Sequence, residues 1–207
     1  MSTAEFSPSA EQNKQAILAV LQRCLPAHGS ALEIASGTGQ HVAWFAHHLP
    51  GWTWQPTEAQ PVSLDSIRAH VAQAGVPNVR SPQLLDVLSD NWLASAPADA
   101  LVPPFDLIFC ANMLHISPQA TGLALMQGSA RHLTPDGVLV TYGPYLEDEV
   151  PTAPSNLAFD ASLRQRNPAW GVRRREDLER TAATAGLRLA ERYAMPANNL
   201  TLLWRRA

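Results

Sequence analysis

Two cysteines in 207 residues cannot carry a disulfide scaffold. Cys24 and Cys110 lie far apart, each in an apolar context. They are expected as buried thiols, not as a disulfide or a metal pair. No apolar run is long enough to span a bilayer, so a membrane partner is not expected. The N-terminal residues carry Glu5 and Glu11 and no apolar core segment, so no secretory leader is expected and the chain reads as cytoplasmic. His41, His47 and His48 are close together but match no HExxH or Cys/His ligand spacing, and a bound metal is not expected. There is no G-x-S-x-G elbow and no P-loop, which removes a serine nucleophile of the hydrolase kind and a triphosphate cradle. A net charge of −3 argues against generic nucleic-acid binding. No repeat or low-complexity tract is present.

What is there suits one α/β domain. Hydrophobic residues make up 46% of the chain, enough for a full core at this length. The most informative stretch is Leu32–His41. A short apolar run carries Glu33 and passes through Ala35-Ser36-Gly37-Thr38-Gly39. Val42, Phe45, Ala46 and Leu49 then fall on one helix face, and Pro50-Gly51 ends it. Strand, glycine turn and helix in this order open a nucleotide-binding sheet. Glycine permits the tight turn and a close ligand approach. The helix N-terminus presents free N–H groups. A dinucleotide fingerprint needs G-x-G-x-x-G, and Val42 occupies the third position.

The other elements follow in order. Residues 1–8 are polar and expected to be loose. Ser9-Ala10-Glu11-Gln12 fits a capping box for a helix running to about Leu25, with Ile17, Leu18 and Leu21 on one face. Asn13 and Lys14 lie near its start, within reach of the glycine turn. Ala31–Ser36 and Trp52–Gln55 are expected strands, followed by a helix with Leu64, Ile67, Val71 and Ala74 inward. Glu58 stands nineteen residues after Gly39, the spacing at which a carboxylate accepts from ribose hydroxyls. Val79–Leu85 is the third strand, ending at Asp86. Residues 94–104 form a loop. Phe105–Asn112 reads as a strand buried on both faces. Ser117-Pro118 is expected to cap the next helix, with Leu123, Met126, Ala130 and Leu133 inward. Val138–Tyr142 is the fifth strand. Residues 155–166 are expected to be helical, with Leu157 or Phe159 and Leu163 inward. A helix over Arg175–Ala185 and strands Leu187–Tyr193 and Leu200–Trp204 close the chain. Most of the fifteen basic residues lie after position 130, clustered at Arg164/Arg166, Arg173–Arg175 and Arg205/Arg206. A solvated surface is the plain explanation, and an anionic substrate or partner is the sharper one.

The sequence E-x-A-x-G-x-G at Glu33–Gly39 resembles motif I of the class I S-adenosylmethionine (SAM) methyltransferases, with Ala35 in place of the usual first glycine. Further strings extend the resemblance over nearly the whole chain: Trp-Gln-Pro at 54–56, Phe-Cys-Ala-Asn-Met-Leu-His-Ile at 109–116, Tyr-Gly-Pro-Tyr at 142–145, Pro-Ser-Asn-x-x-Phe-Asp at 154–160, Asn-Pro-x-Trp-Gly at 167–171 and Met-Pro-Ala-Asn-Asn at 195–199. Together they are similar to the methyltransferase-like protein 26 family. Gln12 and Glu58 depart from it, standing where arginine and aspartate are expected. The resemblance implies a three-layer, Rossmann-like fold with a seven-stranded, mostly parallel sheet in the order 3-2-1-4-5-7-6, its last strand antiparallel. It implies residues 1–30 as a helical lid segment and 31–207 as the sheet core. It implies SAM as cofactor, held by Glu33, Ala35, Ser36, Gly37, Gly39, Glu58, Asp86 and Asn112.

The expected function is methyl transfer from SAM to a small-molecule acceptor, with no nucleic acid or membrane involved and no oligomeric state specified. His115, a titratable residue at the end of the fourth strand, is the candidate general base. Tyr142, Tyr145, Asn156, Asp160 and Asn198 are candidate substrate contacts. Two other readings stand beside this one. A SAM-binding fold without turnover would serve as a metabolite- or protein-binding module. A nicotinamide-dependent oxidoreductase is opposed by Val42.

Overall fold

A computed structural model of the chain describes residues 4–93 and 99–207. The expected loop over 94–104 therefore lies partly outside the described residues. Strands β1 (Gly29–Ile34), β2 (Trp52–Glu58), β3 (Gln83–Leu84), β4 (Phe105–Ala111), β5 (Leu133–Leu146), β6 (Arg173–Arg174), β7 (Leu187–Met195) and β8 (Asn199–Arg206) form one sheet. Its order is β3-β2-β1-β4-β5-β8-β7, with β6 paired to the end of β5. Allowing for the two-residue β6, this is the expected 3-2-1-4-5-7-6 order. β1, β2, β3, β4 and β5 run parallel, and β8 is antiparallel to both β5 and β7.

Both faces of the sheet are apolar, so helices must cover both. Along each central strand, successive residues alternate between two cores. Ala31, Leu107, Phe109, Val138 and Val140 pack with Ile17, Leu21, Val42, Phe45 and Ile67 on one side. Those partners come from α1 (Pro8–Cys24), α2 (Gln40–His48) and α3 (Leu64–Ala74). Leu32, Ile34, Ile108 and Leu139 pack with Leu125, Met126, Leu178 and Ala182 on the other. These come from α4 (Ala120–His132) and α6 (Arg175–Thr184), while α5 (Pro154–Arg166) stands at the carboxyl ends of the strands. This is a three-layer, Rossmann-like fold. With Ile17 and Leu21 fully buried, α1 is part of the packed core.

Local expectations fail where two caps compete. Ser7, not Ser9, caps α1, with its hydroxyl accepting from the Ala10 N–H and Pro8 in the first turn. Serine before proline is the stronger signal, because proline at the first helical position lacks only an N–H that would be unpaired anyway. Residues 4–7 are held too. The Glu5 N–H donates to Ser66 Oγ, and the Ser7 N–H donates to Gln40 Oε1. The same serine-proline signal misleads at Ser117. Its hydroxyl donates back to the Leu114 carbonyl, and α4 begins only at Ala120. Met126 is inside as expected, joined by Leu125, while Leu123 is outside. In α5, Leu163 is buried as expected, but Leu157 faces solvent. Of Val79–Leu85, only Gln83–Leu84 pairs with β2, plus a single bridge from Val79 to Trp54. Cys110 is buried and Cys24 only partly so, and both are free.

Candidate active site at the carboxyl ends of β1, β2 and β4

The turn after β1 takes a left-handed backbone three times in five residues: Ala35 at φ 54°, Gly37 at φ 56° and Gly39 at φ 93°. Gly39 is required twice over. Its φ disfavours any Cβ, and a Cβ there would stand 2.6 Å from the Ile67 Cα of α3. Gly37 differs, because a Cβ would meet nothing within 4 Å. The open side of the turn is at Gly37. Ala35 adopts the same conformation despite its methyl, a strain that such sites commonly store.

Glu33 lies in register between Pro56 of β2 and Phe109 of β4. Its carboxylate is fully buried, and Oε2 has no hydrogen-bond partner among the described residues. Burial raises its pKa to about 8; the Ser36 hydroxyl partly offsets this and the charge of Glu58 adds to it. Glu58, the last residue of β2, accepts from the Gly37 N–H at 3.0 Å and from the Ala59 N–H at 2.8 Å. Two acidic side chains therefore flank one glycine turn, with Glu33 holding its proton until a cation is near. That arrangement suits a ligand with cationic and hydroxyl groups and opposes a pyrophosphate. Ser36 supports the turn, with its Oγ accepting from the Thr57 N–H and its N–H donating to the Thr57 carbonyl. Asp86 follows β3, exposed, with its carboxylate accepting from the Leu88 N–H at 2.9 Å.

A cleft of about 750 Å³ opens between the start of α1, the end of β4, α5 and the β7–β8 turn. Glu33, Glu58 and the 35–39 turn do not line it, and the Ser7–Gln40 hydrogen bond links its rim to the start of α2. Asn112, Tyr142, Asn156 and Asn198 line it with His115, which brings together five residues expected in the site. Asn112 has φ 58°, and its N–H donates to the Tyr142 carbonyl. Its Oδ1 and His115 Nδ1 sit over Gly143, 3.6 and 3.4 Å from where a Cβ would be. His115 is buried with its ring edge-on to Phe159 at 5.4 Å. Burial, then Arg173 and Arg166, lower its pKa to about 4, so it is neutral in the resting site. Tyr142 has its pKa raised by burial. Asn156 donates to the Asn198 carbonyl at 2.9 Å and ties α5 to the β7–β8 turn.

Two expected contacts sit elsewhere. Tyr145 points to the opposite side of the sheet from Tyr142 and packs with Ile34, Leu114 and Trp204. Its hydroxyl donates to Thr141 Oγ1, and burial raises its pKa. Residues three apart on one strand face opposite ways, and β5 runs on past Tyr142. Asp160 is a buckle and does not line the cleft. It accepts from Arg164 Nε at 2.8 Å and from the Val172 N–H at 2.7 Å. Sequence reasoning passed over Ser7, Ser9, Gln12 and Ile116 as cleft residues. The serine-proline cap at 7–8 was the available signal for the first of them.

His41 is also structural. Neutral, it donates from Nε2 to Asn13 Oδ1 at 2.6 Å and stacks on Phe45, with its pKa lowered to about 4 by burial. No group of three or more His, Cys, Asp or Glu is gathered for a metal among the described residues. No helix among them is long and apolar enough to cross a membrane.

Residues 4–206 match the family described as "Protein of unknown function (DUF938)". The chain belongs to the DUF938 family. Solved structures with the same fold as this DUF938 protein include the mitomycin 7-O-methyltransferase MmcR, at 18% identity and a TM-score of 0.77, with 96% of this chain and 54% of that chain covered. An O-methyltransferase family 2 protein from Planctomyces limnophilus, in complex with apigenin, superposes at 17% identity and a TM-score of 0.77 over 96% and 60%. CalO1, a methyltransferase of calicheamicin biosynthesis with S-adenosylhomocysteine (SAH) bound, does so at 17% identity and 0.74 over 96% and 55%. The DUF938 chain thus spans 54 to 60% of the length of these three.

Proposed function

We propose that the protein binds SAM at the Ala35–Gly39 turn and transfers its methyl group to a small molecule in the adjoining cleft. The observation that carries this reading is the buried, unpartnered Glu33 Oε2 beside a glycine turn that is open at Gly37 and flanked by Glu58. An ammonium group is the natural partner for Glu33, and ribose hydroxyls for Glu58. Ser36, Gly37 and Gly39 shape the turn, Asp86 stands on the adenine side, and Asn112 lies where cofactor site and cleft meet. The likeness in fold to solved methyltransferases, one with SAH bound, supports the same cofactor. We place the protein in the cytoplasm and in the methyltransferase-like protein 26 family, with the start of α1, a helix packed in the core, walling one side of the cleft.

When bound, SAM supplies an electrophilic methyl group on sulfonium. The chain's contribution is to orient the acceptor, exclude water and hold protons. Tyr142, Asn156 and Asn198 orient it. His115, neutral, can take a proton from a hydroxyl or amine acceptor. Its depressed pKa makes it a weak base until a negative charge is near, and this favours a second reading, binding without turnover.

Thermal-shift titration with SAM, SAH and NAD is the test. Ligand at about 100 times its dissociation constant adds about 2.7 kcal/mol of stability. Stabilisation by SAM or SAH but not by NAD is expected. NAD alone stabilising the protein would overturn the reading. Transfer of a tritiated methyl group to an acceptor separates turnover from binding.

A further inference from the structure

Among the described residues, most arginines of the C-terminal half are engaged; of those that are not, Arg188 is exposed in β7 and Arg166 lines the cleft. Arg164 holds Asp160. Arg173 donates to the Leu114 and Ser117 carbonyls and so clamps the turn that carries His115. Arg174 pairs with Asp148, and Arg175 and Arg192 both with Glu147. Arg205 and Arg206 donate to carbonyls at Asp136 and Leu133. Arg166 makes no hydrogen bond or ion pair among the described residues. It lies over the Trp170 ring, 5.7 Å from its centre, and it lines the cleft.

No carboxylate lines that cleft, and Arg166 is its one cation among the described residues. A second source of positive potential borders the same space. The N-terminus of the 17-residue α1 brings Ser7, Ser9 and Gln12 to the cleft wall. The Ser7 and Ala10 N–H groups are already taken by Gln40 and the Ser7 hydroxyl, and Pro8 has none. What the helix start offers an anion is the Ser9 N–H and hydroxyl. Between these poles the wall turns apolar, with Phe159, Ile116, Pro144 and Pro196. The wall bearing Arg166 is also built in place. Asp160 binds the Val172 N–H, and the Gly171 N–H donates to the His115 carbonyl. The Pro154–Asp160 and Asn167–Gly171 strings thus form one framework around Phe159, Arg166 and Trp170.

We infer that the methyl acceptor is an aromatic carboxylate: its ring lies against Phe159 and Ile116, and its acid group is held by Arg166 near the start of α1. This rests on the methyl-transfer reading. A guanidinium engages a carboxylate through two parallel N–H bonds, which lysine cannot copy. The carboxylate would also bring negative charge toward His115 and oppose the two arginines that depress its basicity.

The test uses the full chain. SAH is titrated first, by calorimetry. The SAH-loaded protein is then titrated with hydroxybenzoates, hydroxynaphthoates and hydroxyquinoline carboxylates, each beside its neutral carboxamide. At least one acid should bind ten times more tightly than its amide. Arg166→Ala should erase that preference while SAH affinity stays unchanged, and Arg166→Lys should restore only part of it. Acids and amides binding alike, no acid binding at all, or a preference that survives Arg166→Ala would each overturn the inference. Failure of SAH to bind would instead overturn the cofactor reading beneath it.

Discussion

Glu33 is the residue on which most depends. A carboxyl group with a folded pKa near 8 keeps its proton where the unfolded chain, near 4.5, has lost it. The folded state therefore binds more protons between these values, and stability falls as pH rises through them. The slope from one such group is at most about 1.4 kcal/mol per pH unit. Glu33→Gln should flatten the decline in urea-unfolding free energy between pH 6.5 and 8, and it should abolish SAM binding. A slope that persists unchanged would place the proton elsewhere. Glu58→Ala removes acceptors from the ribose position and leaves the core intact. We expect SAM affinity to drop about tenfold, equal to about 1.4 kcal/mol, with the melting temperature of the free protein nearly unchanged.

At the scale of elements, the α2–α3 contact and the α5 framework are the points of failure. Gly39→Ala drives a methyl into the Ile67 backbone and imposes a left-handed conformation on a residue with a side chain. A loss of about 2–4 kcal/mol is expected from overpacking and backbone strain together, measurable by chemical denaturation. Asp160→Ala frees the Val172 N–H and Arg164 together. We expect a loss of about 1–3 kcal/mol. Proteolysis should then cut first between Arg166 and Arg173. Much of this level was legible beforehand. The helix faces of α1 and α2 and the strands β1 and β4 follow from spacing, because the periods of 3.6 and 2 are local properties. The phase of α4 was not legible, because Ser117-Pro118 looked like its start while the helix begins at Ala120, and only packing on the sheet decided which face is buried.

Over the whole molecule, three buried titrating groups set opposing slopes. His41 and His115 have folded pKa values near 4 against 6.5 for free histidine. Below pH 6.5 the unfolded chain takes up protons that the folded chain refuses, so stability is lost as pH falls toward 4. Glu33 pulls the other way from about pH 4.5 to 8, and is outweighed by the two histidines below pH 6.5. Together they put the stability maximum of the ligand-free protein close to pH 6.5, and a pH series of denaturation midpoints would show a maximum elsewhere if other groups dominate.

The order of strands and helices, the glycine turn with its missing third glycine, and the Glu58 spacing belong to the sequence alone. Each is a relation between neighbours or a fixed count along the chain. Tertiary structure decided which polar groups meet. It left Glu33 unpaired next to Glu58, set Asn112 and His115 over Gly143, turned Tyr145 into the core, and spent every arginine of the 164–175 cluster except Arg166 on a partner. Those outcomes depend on distances between segments far apart in the chain, and on which charges burial leaves without a partner, and no local pattern encodes either.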